Sequence, residues 1–167
     1  MVSLVVAGLV AAAAFAAPAT AGTVPKGESG PCELLKRGEI EDAFGLETGR
    51  GEVAGLRCAW DVDDELLMTA EVITDETAEI LDDDAEGLFE QFADDLSGEK
   101  KLNGLGDRAF YGETSYGSVS VLVLEGDEFL YLDFGDVEGG GDVGDTIDEE
   151  KLRKGMVKLG KKALKRL

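Results

Sequence analysis

Hydrophobic and polar positions change rhythm several times along this chain, and each change predicts an element. Leu56, Cys58, Trp60 and Val62 alternate with Arg57, Ala59 and Asp61. A period of two marks a half-buried strand. Asp63-Asp64 interrupts it as a turn, and Met68, Ala70 and Val72 then alternate with Thr69 and Glu71, completing a hairpin. Over residues 76–96 the period becomes helical, with Leu81, Ala85, Leu88, Phe89, Phe92 and Leu96 on one stripe. Asp75 is placed to cap that helix, and Gly87 inside it predicts a kink or a close contact. A second hairpin pairs 118–124 with 128–134 across Gly126-Asp127. Its strands are apolar on both faces, which predicts a central place in the sheet.

Weaker patterns fill the intervals. Residues 37–44 form a short helix with Ile40 and Phe44 on one face and Gly45 ending it; 49–55 is a loop or a weak edge strand. Residues 98–107 read as a loop, 108–111 as a short strand, and 136–145 as a Gly- and Asp-rich loop. Thr146 and Glu149 have capping-box spacing before a last helix that runs to about Leu167, with Leu152, Met156, Leu159 and Ala163 as its stripe. The order is helix, hairpin, helix, strand, hairpin, helix. An antiparallel sheet flanked by helices, an α+β fold, follows from it.

The amino terminus has a different character. Residues 1–17 are almost continuously apolar, Pro18 breaks the run, and Ala19-Thr20-Ala21 has the small-x-small form of a cleavage site. We expect residues 1–21 to be a signal peptide, 22–31 a flexible leader and 32–167 a single domain. A retained anchor and a buried helix are the competing readings. Export would place the domain outside the cell or in the cell envelope. It also bears on Cys32 and Cys58, the only cysteines. An oxidising compartment favours a structural bridge over two buried thiols or a redox pair, which would more naturally be spaced C-x-x-C.

Charge narrows the functions. The chain holds 36 acidic and 16 basic residues, a net charge of −20, and the apolar signal carries none of the charged side chains. Such a field repels phosphate, so no nucleic-acid partner is expected, and self-repulsion favours a monomer. Histidine is absent, which removes Ser-His-Asp and Cys-His nucleophile activation and imidazole ligands for zinc. Carboxylate chemistry, hard-metal binding or no catalysis remain. Three acidic groups could attract calcium or magnesium: Asp61, Asp63, Asp64 and Glu65; Asp82 to Asp84 with Glu86; and the acids between Asp133 and Asp148. None has EF-hand spacing, so they read as solvated surface charge and no metal or cofactor is expected. Gly104-Leu105-Gly106-Asp107-Arg108-Ala109 has the form G-x-G-x-x-A, but a loop precedes it and a strand follows, the reverse of a dinucleotide site. It reads as a tight turn. Eight of the 16 basic residues lie between Lys151 and Arg166. That helix either packs its stripe on the domain's own sheet, the favoured reading, or lies on an anionic membrane.

Pro31-Cys32-Glu33-Leu34-Leu35, Glu39-Ile40, Phe44-Gly45, Cys58-x-Trp60 and Gly104-Leu105-Gly106-Asp107-x-Ala109-Phe110, followed by an amphipathic last helix, form an ordered set. The set resembles a family of exported actinobacterial proteins and lipoproteins of unknown function. The resemblance implies a Cys32–Cys58 pair and a PsbP-like sheet flanked by helices. It implies no catalytic residues. This chain lacks the lipid-attachment cysteine of that pattern, so membrane tethering is not expected after signal cleavage. The function expected is a secreted, non-catalytic domain that binds a ligand or an envelope protein outside the cell. Its recognition surface would be the exposed side of the sheet or a cleft beside residues 104–107. The alternative is a carboxylate-based glycan hydrolase, which would need two facing carboxyl groups in one cleft.

Overall fold

One strand, β7 (Glu128–Asp136), organises the architecture. None of its residues is fully exposed on either face, and it takes the middle of a seven-stranded, wholly antiparallel sheet. The computed structural model describes residues 30–137, 143 and 146–167. The expected signal peptide, most of the leader and most of the loop at 136–145 lie outside the described residues. On one side of β7 come β3 (Leu66–Thr74), β2 (Arg57–Val62) and the short edge strand β1 (Glu52–Ala54). On the other come β6 (Val119–Glu125), β5 (Arg108–Glu113) and β4 (Ser97–Lys101). The expected α+β fold is present, with helices on both faces of the sheet.

The first face is covered by α1 (Arg37–Phe44) and α4 (Glu149–Ala163). Leu152, Met156, Leu159 and Ala163 of α4 are all buried against it, together with Trp60, Met68, Val121, Leu132 and Phe134. Burying each large side chain stabilises the fold by about 1.5–3 kcal/mol. α4 crosses α1 closely because Gly155 has no Cβ; one built there would lie 2.5 Å from the Phe44 ring. Cys32, in a 3-10 turn at Pro31–Glu33, is bonded to Cys58 on β2, 26 residues away. In the loop-entropy picture this bridge contributes about 3.5 kcal/mol. Glu39 on α1 locks the far end of α4. It accepts two hydrogen bonds from the Arg166 guanidinium (2.7 and 2.8 Å) and one from Lys162 Nζ (2.9 Å). The Arg166 hydrogen bonds lead, with Lys162 and the Lys36 backbone N–H behind them, in pulling its carboxyl down to about 2.

The second face is covered only in part, by α2 (Asp75–Ala78) and α3 (Ala85–Asp94). These replace the single helix expected over 76–96. The chain breaks at Asp82-Asp83-Asp84, where Asp82 adopts a left-handed backbone (φ 59°), a conformation that short polar side chains tolerate. Asp84 then caps α3, accepting from Gly87 N at 2.7 Å. The triplet is therefore a helix break rather than decoration on a helix. Thr74, not Asp75, caps α2, while the Asp75 carboxylate bonds Ala85 N at 3.0 Å and ties the two pieces together. A Cβ at Gly87 would meet the exposed Asp83 carboxylate. The break also changes the helical phase, so Leu81, expected on the buried stripe, is 65% exposed.

Smaller differences have similar causes. Leu56 falls in the β1–β2 turn and is exposed. β4 lies where a loop is expected; its five residues are all exposed and no alternation announces it. Pairing with β5 makes it a strand. Asp148, not Thr146, caps α4, accepting from Lys151 N at 3.1 Å.

Candidate functional site

Register places a row of polar side chains on the second face. Thr69 on β3 pairs with Asp133 on β7, which pairs with Ser120 on β6. One row along, Arg57, Glu71, Tyr131 and Leu122 are neighbours across β2, β3, β7 and β6. The next row is apolar, with Ile73, Phe129 and Leu124 under α3. α3 packs Leu88 and Phe89 there, and its Phe92 meets the Phe129 and Tyr131 rings edge-on, with centroids 5.4 and 5.2 Å away. Arg108 of β5 secures it through ion pairs to Glu86 and Glu90 and by standing over the Phe89 ring. Beyond Phe92 the helix ends, and the polar rows are left under an open groove of about 380 Å³.

Asp133 is the hub. One of its oxygens accepts from Ser118 Oγ at 2.8 Å and from Ser120 Oγ at 2.7 Å. Ser118 commits its proton to Asp133, so Thr114, 2.7 Å away, donates to Ser118. The Tyr131 hydroxyl lies 3.4 Å from Ser120 Oγ. Burial first, and then the neighbouring Asp133 charge, push the Tyr131 phenol well above its ordinary value. It stays a protonated donor at any physiological pH. Ser120 is wholly buried. The Asp133 carboxylate therefore sits among hydroxyl groups already in place. Phe92, Leu96 and Tyr116 form the walls, and Tyr116 is 76% exposed at the rim.

Glu71 sits to one side and behind. Burial raises its carboxyl above the ordinary value, an effect only partly offset by Arg57, whose nitrogen is 3.5 Å away. It faces the same side of the sheet as Asp133 but does not line the groove.

The other sequence candidates fall elsewhere. Residues 104–107 do not line the groove: Leu105 is buried in the first-face core, and Asp107 accepts from Gly126 N at 3.0 Å. Asp63 and Asp64 form the β2–β3 turn with left-handed backbones. Among the described residues no three acidic side chains converge as metal ligands would, and no helix is long and apolar enough to cross a membrane. The hydroxyl cluster itself escaped sequence reasoning. Its signal was present as two polar residues at period two in each strand of an apolar hairpin, Ser118-x-Ser120 and Tyr131-x-Asp133.

Compared with protein-family models, curated proteins and solved structures, the chain finds no match.

Proposed function

We propose that this protein is a non-catalytic binding module, exported from the cell, whose groove on the second face of the sheet holds a small ligand. The ligand presents hydroxyl or amine donors to Asp133 and an apolar or ring face to Phe92 and Tyr116. One observation carries this reading: a carboxylate with its hydroxyl partners lines an open groove, two rows from a position the fold fills with phenylalanine. Taking such a charge partly out of water costs free energy that an apolar side chain would not. Its preorganised hydrogen bonds suit recognition. The volume is that of ordinary small-molecule sites. The disulfide and the export signal read from the sequence support a place outside the cell, and the net charge supports a monomer.

The test is a thermal-shift panel of sugars, polyols, amino acids and organic amines on the natural protein and on two variants. One class should raise the melting temperature saturably, and Asp133→Asn and Tyr116→Ala should each weaken that response. A panel without effect, or a response that both variants keep, rejects the reading.

The hydrolase alternative has two observations in its favour: Asp95 and Asp136 line the same groove as Asp133, and burial raises the Glu71 carboxyl on the same face. Against it, Glu71 does not line the groove and is paired with Arg57, which does. Turnover of a glycan that Glu71→Gln abolishes would replace binding by catalysis.

A further inference from the structure

We infer that the outward face of α4 is a docking surface for a linear polyanion, a flexible chain bearing repeated phosphate groups. Lys154, Lys158, Lys161 and Lys165 repeat at four, three and four residues and are all exposed. The buried stripe Leu152, Met156, Leu159 and Ala163 has the same spacing two residues earlier. Two residues is about 200° of helical rotation, so Lys154, Lys158 and Lys161 point directly away from the sheet, and Lys165 follows them in the 3-10 turn Leu164–Arg166. They follow one line about 16 Å long at 1.5 Å per residue. Beside that line runs a shallow trough of about 410 Å³, lined by Val157 and six cationic side chains, the four lysines with Arg153 and Lys162.

Structural duties leave much of this charge unused. Lys162 and Arg166 serve Glu39, Lys154 pairs with Glu150, and Lys158 reaches the Asp42 carbonyl. Arg153, Lys161 and Lys165 have no ion pair or hydrogen bond among the described residues. The helix dipole favours cations only in the last turn, which accounts for neither Arg153, Lys154 nor Lys158. Solubility does not account for the stripe either, since acidic residues serve it better. After Glu150 the chain has no acid in its last 17 residues, although it has 36 in all.

A narrow chain fits this surface better than a bilayer does. The apolar side of α4 is spent in the core, and Val157, half-buried, is the one apolar side chain in the trough. A membrane helix needs an apolar face to insert. A charged plane would also meet Glu149, Glu150 and the acidic body, whereas a chain in the trough meets lysines. Screening within about 8 Å at physiological salt confines the repulsion from the net charge.

Long-chain inorganic polyphosphate is the probe, read by fluorescence anisotropy against the full mature protein. Binding should saturate and weaken with salt at a log–log slope of about −3, as four released counterions require. K154Q/K158Q/K161Q/K165Q should lose about a hundredfold in affinity, and its lysine-to-arginine counterpart should retain binding. R37Q/R50Q/K100Q/K101Q removes the same charge elsewhere and should bind like the natural protein. Equal loss in both glutamine variants would show a net-charge effect and overturn the proposal. So would undiminished binding by the first variant, equal competition by orthophosphate at matched phosphate concentration, or binding to anionic phosphatidylglycerol vesicles with none to polyphosphate.

Discussion

The two faces of the sheet are treated differently, although the same strands build both. On the first face, helices, disulfide and ion cluster meet over a continuous apolar core that runs from Trp60 to Val123. On the second, α2 and the ten-residue α3 cover the apolar rows and stop, leaving a groove lined by hydroxyls, Arg57 and three carboxylates, Asp95, Asp133 and Asp136. Asp133 and Phe134 are neighbours in sequence and belong to opposite faces. The contrast teaches that the first face holds the protein together and the second leaves polar side chains uncovered.

The sharpest way to break the comparison is to remove the first face's cover. Truncation after Asp148 deletes α4, and with it Leu152, Met156 and Leu159, about 1.5–3 kcal/mol each in a domain of about 5–15 kcal/mol. The product should lose its cooperative melt and its near-ultraviolet circular dichroism. A retained cooperative transition would show that α4 is an accessory arm.

Next in size is the pair at 133 and 134. Phe134 is fully buried and packs on Phe44, ring centroids 4.6 Å apart. Phe134→Ala should cost about 3–5 kcal/mol in urea unfolding. Asp133→Ala should cost about 1–3 kcal/mol, because it orphans two serine hydroxyls. Replacing Ser118 and Ser120 by Ala and Asp133 by Leu together should recover that loss. If the triple variant is less stable than Asp133→Ala, the cluster is a structural keystone and not a site.

Two carboxylates then sharpen the contrast through pH. Glu39, its folded pKa lowered from 4.5 to about 2 by Arg166 and Lys162, contributes stability that is full above 4.5 and is lost as pH falls toward 2. Glu39→Gln should cost about 1–3 kcal/mol at neutral pH and flatten the acid limb of the stability curve. Glu71 has the opposite sign. Its folded pKa is raised by burial, so the folded state holds the proton more tightly, and stability falls as pH rises from 4.5 through the folded value. Glu71→Gln should remove that fall and change neutral stability by less than about 1 kcal/mol. An acid limb that Glu39→Gln leaves unchanged, or one that Glu71→Gln makes shallower, contradicts these assignments.

The smallest expected effect is that of salt. Raising NaCl from about 0.1 to 1 M shortens the Debye length from about 10 to 3 Å, so self-repulsion at a net charge of −20 weakens and the melting temperature should rise by a few degrees. A fall would show that attractive pairs such as those around Glu39 outweigh the repulsion.

Local periodicity made much of the fold legible in the amino-acid order alone. The alternation of Cys58, Trp60 and Val62, the Asp63-Asp64 and Gly126-Asp127 turns, the central hairpin and the stripe of α4 all appear where the pattern puts them. Periodicity reports which way a side chain points. It says nothing of what lies there. Tertiary structure alone decided that Ser97–Lys101 is a strand, since pairing with β5 makes it one. The break at Asp82–Asp84 needed the long-range bond from Asp75 to Ala85. The groove needed both register and coverage. Ser118 and Ser120 meet Asp133 because β6 and β7 pair in one register, and Ser118 and Asp133 line a groove because α3 ends at Asp94. A one-residue slip of either strand would have turned the same hydroxyls away from Asp133, which is why that site emerges from the packed sheet and not from any single segment.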